Sequence, residues 1–160
     1  MKAILLSVNK PYAGHLVGGA KWLEWRTKPL PKVKAYIYET KKGGGCGKVI
    51  GEVKIFVVQV IPVNALDRAE LDQVIIGGMV GVNFLQNYAA AHKTERLYAN
   101  FVGHAKRYDK PKELSEFSHF VKYEATACAM LVKADLHNEK CLVPARLTRP
   151  LKSWCYVEEL

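Results

Sequence analysis

At 160 residues and 17.9 kDa, the chain has the size of one ordinary domain, or of a domain with a sizeable insertion. With 49% apolar, 10% aromatic and 24% charged residues it can bury a core without staples. This excludes a disordered chain, a collagen-like fibre and a disulfide-held mini-protein. The net charge of +9 is unevenly spread: residues 1–54 hold 11 Lys or Arg against three acids, and residues 55–160 hold 13 against 12. An excess confined to the first third attracts phosphate polyanions, so nucleic acid or a nucleotide is the expected partner, with plain solubility as the alternative.

Residues 3–8 form an apolar run suited to a buried strand. Lys10-Pro11-Tyr12 opens a short helix, with proline where its missing N–H costs little, and Gly18-Gly19 closes it. Residues 22–26 read as a strand rich in aromatics, and after Pro29 and Pro31 residues 33–39 alternate as another. The glycine-rich stretch 42–48 fails the phosphate-loop pattern, because Lys42 stands where its first glycine belongs and Val49 where Ser or Thr would hold magnesium. It is expected to be a turn into a long strand over residues 49–61.

Residues 64–91 are helical in pattern, with one helix from Asp67-Arg68-Ala69-Glu70, a break at Gly77-Gly78, and a second helix over residues 84–91. Residues 97–102 resume as a strand and residues 106–120 read as a polar loop containing Pro111. Residues 124–133, 140–147 and 154–158 close the chain as strands. Strands around a helical excursion predict a mixed, barrel-like α+β domain with no second domain.

No apolar stretch approaches the ~18 residues of a spanning helix, so no membrane partner is expected. Only six mostly apolar residues follow Lys2 before Asn9-Lys10-Pro11, too few for an export signal, which predicts a cytoplasmic protein with reduced thiols at Cys46, Cys128, Cys141 and Cys155. Cys128, His137, Cys141 and Cys155 match no common zinc spacing, so neither metal nor cofactor is expected. His15 and His104 lack the serine and aspartate partners of a catalytic set.

The stretch that can carry chemistry is Gly19-Ala20-Lys21-Trp22-Leu23-Glu24-Trp25-Arg26. Strand alternation puts Leu23 and Trp25 toward the core and Trp22, Glu24 and Arg26 on the other face. That face offers an aromatic plate for stacking, a carboxylate, and a planar fork for phosphate oxygens. Lys21 stands at the helix-to-strand junction, where alternation leaves its direction open. Beside an arginine in a partly closed cleft its pKa would be lowered, as for a catalytic lysine. The bland alternative is an i,i+2 surface ion pair between Glu24 and Arg26. Tyr108 and Trp154 are further rings that could line a ligand site or pack the interior.

Several blocks share one family resemblance. Ser7-x-x-Lys10-Pro11-Tyr12 followed by Gly19-x-Lys21-x-x-Glu24-x-Arg26, then Tyr36-Ile37-Tyr38-Glu39-Thr40 and Val49-Ile50-Gly51-Glu52, resembles the ASCH family of the PUA-like superfamily. Residues 106–117 resemble a second block of its bacterial and phage members, and Leu147-Thr148-Arg149-Pro150 with Ser153-Trp154-Cys155-Tyr156-Val157 resembles their closing strand. Residues 64–96 and 121–146 match less and look like member-specific segments, the first helical.

The resemblance implies a PUA-like mixed β-barrel with flanking helices, and a cleft lined by the Gly-x-Lys-x-x-Glu-x-Arg residues. It also implies RNA or a nucleotide-like ligand, bound by Lys21, Glu24 and Arg26 with Trp22 stacking and Lys10, Tyr12, Tyr108 and Trp154 as further contacts. The alternative it carries is a small hydrolase, either an amidohydrolase on acylated cytidine or a metal-dependent ribonuclease, with Lys21 and Glu24 catalytic. In such amidohydrolases a lysine, a threonine and a carboxylate cooperate. Lys21 falls on the lysine, Glu24 occupies the threonine's place, and Glu52, Asp67 and Glu70 all compete for the carboxylate's. A protein-interaction module is a third class.

Overall fold

The structure, a computed structural model, describes residues 2–122, 142–149 and 152–160. Strand β1 (Lys2–Val8) is buried along all but its first residue, because it lies inside the sheet with both faces covered. Helix α1 (Tyr12–Val17) follows, pressing Ala13, Leu16 and Val17 onto the core, and ends at Gly18 before Gly19 turns the chain at φ +80°. Then come β2 (Leu23–Arg26), β3 (Lys34–Glu39) and the long β4 (Val49–Pro62). Gly43, Gly44 and Gly47 in the turn before β4 all take positive φ, which confirms the stretch as a turn.

Helices α2 (Asp72–Gly77) and α3 (Val82–Ala91) sit between β4 and β5 (Arg96–Lys112). Strands β6 (Ser118–Lys122), β7 (Leu142–Arg146) and β8 (Trp154–Glu158) complete the sheet. All eight strands join one mixed sheet in the order β2-β5-β4-β3-β1-β8-β6-β7, in which β1 and β3 run parallel. β2 and β7 end the order without pairing to each other, so these strands form an open sheet and not the expected closed barrel.

The polar loop expected over residues 106–120 is mostly strand. β5 runs to Lys112, a 3₁₀ turn spans Leu114–Glu116, and β6 begins at Ser118. Its polar residues are strand because β4 supplies the ladder: Gly51 pairs with Arg107 and Val49 with Lys112. Pro111 falls inside the register shift between those two pairs, where a missing N–H interrupts nothing. The strand expected over residues 124–133 lies outside the described residues.

Three apolar clusters hold the sheet together. One lies between α1 and the centre of the sheet, with Ile4, Leu6, Leu16, Ile37 and Ile55. A second packs β2 and β5 under the helices through Leu23, Trp25, Leu85, Ala89 and Leu97. The third gathers Leu5, Tyr36, Phe117 and Val157, with the Tyr36 and Phe117 rings edge-on at 5.0 Å. Gly51 is required where α1 crosses β4, because a Cβ there would come within 2.7 Å of Val17 and 2.3 Å of the Lys106 carbonyl. Among the described residues no single helix is long and apolar enough to cross a membrane.

Candidate functional site

β2 divides its side chains between core and cleft. Leu23 enters the core under the helices, Trp25 packs there and also reaches the cleft lining, and Glu24 and Arg26 meet Lys21 at the floor of this cleft of about 440 Å³. One wall is the end of β1 with Ser7 and Asn9, joined by Tyr12 and by Thr40 and Lys42 beyond β3. The opposite wall comes from the helical segment, with Val80, the α3 side chains Phe84 and Tyr88, and His92 just past the helix end, and Lys152 also contributes.

The floor is a tightly paired ionic group. The Lys21 ammonium donates to the carbonyls of Leu23 at 2.5 Å and Gly78 at 2.7 Å, and lies 3.3 Å from Glu24 Oε2. On its other side Glu24 Oε1 accepts from Arg26 Nη2 at 2.8 Å, and the same nitrogen donates to the Ser7 carbonyl at 2.9 Å. Lys21 is only 3% exposed and Glu24 7%, so this is no surface ion pair. Burial pushes the lysine below its usual pKa range and Glu24 pulls it back up, while Arg26 adds the smallest downward push. The cause is therefore desolvation first, not the neighbouring guanidinium.

Asn100 fixes the strand that carries these groups. Fully buried, it donates to the Glu24 carbonyl at 2.9 Å and the Tyr98 carbonyl at 3.0 Å and accepts from the Leu30 N–H at 2.9 Å. Two buried donors beside the cleft, Trp25 Nε1 and Arg26 Nε, have no hydrogen-bond partner among the described residues, an omission that usually costs about 1–3 kcal/mol each.

Of the residues expected at the site, Tyr12, Lys21, Glu24 and Arg26 come together, with the lysine 5.7 Å from the Tyr12 ring centre. Lys10, Trp22, Tyr108 and Trp154 do not line this cleft. Trp22 precedes β2, so strand alternation does not govern it; its indole lies against Gly77 and 5.9 Å from the Phe101 ring. Tyr108 joins the third core cluster and donates its hydroxyl to Glu52 at 2.5 Å. Trp154 packs against the first cluster and meets Tyr156 edge-on at 5.4 Å. Lys10 is exposed outside the lining.

The three carboxylates weighed as partners of Lys21 also lie elsewhere. Glu52 is engaged with Tyr108 and Lys34, and Asp67 and Glu70 are exposed in the turns before α2. Among the described residues no three His, Cys, Asp or Glu side chains gather to hold a metal ion. Cys128, His137 and Cys141 lie outside the described residues.

The α3 wall was missed by strand-centred reasoning. Its signal was present as the spacing Phe84, Tyr88, His92, an i, i+4, i+8 row of rings beside the core pair Leu85 and Ala89.

No protein-family model matches the chain, and no curated protein does. Solved structures do. The ASCH protein ZmASCH of Zymomonas mobilis is 18% identical with a TM-score of 0.58, over 90% of this chain and 87% of that one. Its tyrosine-to-phenylalanine variant matches at 18% identity and a TM-score of 0.59, over 91% of both chains. Its serine-to-alanine variant matches at 19% identity and 0.58, over 90% of this chain and 88% of that one. The likeness spans nearly the full length of both partners, and the sheet and helices described above are what it rests on. The chain therefore has the fold of these ASCH structures.

Proposed function

We propose that the cleft binds RNA or a nucleotide-like ligand. The observation that carries this reading is the lining itself: Lys21, Arg26, Lys42 and Lys152 face one cleft with Glu24 as the carboxylate among them, opposite a wall of rings. Glu24 is shared between Lys21 and Arg26, so this floor carries one net positive charge, to which the exposed Lys42 and Lys152 add theirs. Such a surface attracts phosphates at long range and holds them through a planar guanidinium at short range. The ASCH fold is consistent with this, and the excess of charge in residues 1–54 supports it independently.

Hydrolysis has weaker support. A lysine acting as base or nucleophile needs a free lone pair, whereas the Lys21 ammonium spends its N–H groups on two carbonyls and a carboxylate. A panel of acylated nucleosides and short RNAs, with Lys21→Ala as the inactive control, tests that alternative directly.

The binding reading is tested by titrating a labelled short RNA into the protein at several salt concentrations. Affinity should fall steeply as salt rises, and Arg26→Ala should weaken it at least tenfold in a protein that remains folded by circular dichroism. Binding that ignores salt, or an Arg26→Ala protein that binds as well as the parent, overturns the proposal.

A further inference from the structure

Across Thr40 from the cleft lies a second hollow of about 570 Å³, and we infer that it is a separate binding site for a phosphate ester. The ester comes either from the next backbone unit of a strand lying in the cleft or from a free sugar phosphate. The first source rests on the cleft reading, and the second does not. Thr40 lines both spaces, and the lysines that follow it diverge: Lys41 borders the hollow and Lys42 the cleft. Thr40 is pinned between them, its N–H on the Val8 carbonyl at 3.0 Å and its hydroxyl donating to Asn9 Oδ1 at 2.5 Å. The start of this turn is a partition with a cation on each side.

Tyr38 is the residue that points to a ligand. It is only 3% exposed, yet its hydroxyl opens into the hollow with no hydrogen-bond partner among the described residues. A polar group so deeply placed is normally satisfied, and a bound acceptor would satisfy this one. Burial also pushes the phenol above its usual pKa, so it keeps its proton and remains a donor. Its neighbours on the same face are already satisfied: Tyr36 accepts from the Leu160 N–H, and Tyr108 donates to Glu52. The third core cluster uses the Tyr38 ring, and nothing there uses its oxygen.

The other free groups of the hollow are donors too. The Ser115 and Thr148 hydroxyls and the Lys41 ammonium have no partner among the described residues. The carboxylate of the lining, Glu113, is occupied by Lys48 at 2.5 Å and by the capping box of the 3₁₀ turn. Hydroxyls and an ammonium converging on one space suit a group that only accepts and carries several oxygens, which is a phosphate and not a cation. Leu114 and Leu147 give the carbon part of the ester an apolar wall. The frame is set in advance. The Lys41 stem lies across Gly47, where a Cβ would come within 2.7 Å of its Cε, and the Leu147 N–H holds the Phe117 carbonyl at 2.9 Å.

The test uses labelled uridine tetramers and dodecamers, read by fluorescence anisotropy, and ribose 5-phosphate with plain ribose as control, read by the amide chemical shifts of Lys41, Gly47 and Ser115. Tyr38→Phe removes one oxygen, no charge and no hydrogen bond within the described fold, so its thermal melt should match the parent's. If a strand supplies the ester, the dodecamer binds at least about 5-fold tighter than the tetramer, and Tyr38→Phe removes much of that gain while leaving the tetramer unchanged. If a free sugar phosphate supplies it, ribose 5-phosphate moves those amides saturably, ribose does not, and Tyr38→Phe weakens binding at least about 5-fold. Lys41→Gln should act like Tyr38→Phe in either arm. Lys42→Gln, matched in charge, should weaken the tetramer and spare the sugar phosphate. Absence of Tyr38-dependent binding in both arms overturns the hollow as a site. Tetramer binding that still follows salt and Arg26 then leaves the cleft's proposed function standing. Tyr38-dependent binding of ribose 5-phosphate by a protein that binds neither RNA supports the hollow and overturns the cleft reading.

Discussion

Replacing Lys21 by methionine removes the cation that joins three parts of the site while keeping most of the side chain's volume. In the parent, the ammonium ties the start of β2 to the α2–α3 junction through the Leu23 and Gly78 carbonyls and braces Glu24 at 3.3 Å. In the variant both carbonyls face a thioether, and a buried acceptor left unpaired costs about 1–3 kcal/mol. Two effects offset this. The variant no longer strips water from an ammonium, and Glu24 keeps Arg26 at 2.8 Å, so no charge is stranded. The net expectation is a loss of about 2–4 kcal/mol. For a chain of this length each kcal/mol moves Tm by about 2–4 °C, so the drop should be roughly 4–16 °C. Lys42→Met, an exposed lysine of the same cleft, should stay within about 0.5 kcal/mol of the parent. Urea denaturation gives the energies, and hydrogen exchange locates the loss: amides of α2 and α3 should exchange faster in the Lys21 variant. If that variant matches Lys42→Met in stability and in exchange, the tether argument is wrong.

Asn100→Ala should cost about 2–4 kcal/mol in urea denaturation, because three hydrogen bonds disappear from a fully buried site and the Leu30 N–H and Glu24 carbonyl lose their partner. Gly78→Ala should lower stability by about 1–3 kcal/mol, since its Cβ would stand 2.2 Å from Trp25 Nε1, whereas Gly14→Ala in α1 meets nothing within 4 Å and should raise it by roughly 0.4–1 kcal/mol. Thermal melts of the two variants side by side check the opposite signs. Burial, then the bond to Glu52, holds the Tyr108 phenol well above its ordinary range, so it keeps its proton in the folded chain when the unfolded chain releases it near pH 10. Stability from this group is intact below pH 10 and falls as pH rises beyond it. Tyr108→Phe should therefore flatten the loss of Tm between pH 9 and 11.5, with Tyr36 and Tyr38, also raised by burial, leaving a residual slope.

The first third of the chain was largely legible because its signals are local. The apolar run of β1, the proline before α1, the glycines after it and the alternation of Leu23, Glu24, Trp25 and Arg26 each act over a few residues, and the structure follows them. Tyr12, Lys21, Glu24 and Arg26 were brought to one place by such local rules. Trp22 failed by one position: the regular strand starts after it, and the helical segment captures its ring through Gly77. Residues 106–112 looked like loop because polarity was read without a partner strand, and only pairing with β4 makes them β5. Asn100 carried no signal of its own, since a polar residue between Ala99 and Phe101 reveals its value only when Leu30 and Glu24 arrive from distant sequence. The barrel was expected from the strand pattern as well as from resemblance, and closure depends on how β2 and β7 meet, a relation between the two ends of the sheet.

The junction at Gly77 and Gly78 sets the gauge of the cleft. These two residues lie against the indoles of Trp22 and Trp25, so the α3 wall stands as near to the floor as hydrogen atoms in place of methyl groups allow. Neither glycine touches the space it regulates. The bore available to a guest is thus adjustable from behind, in increments of a single carbon, with every group that would greet that guest left chemically unaltered.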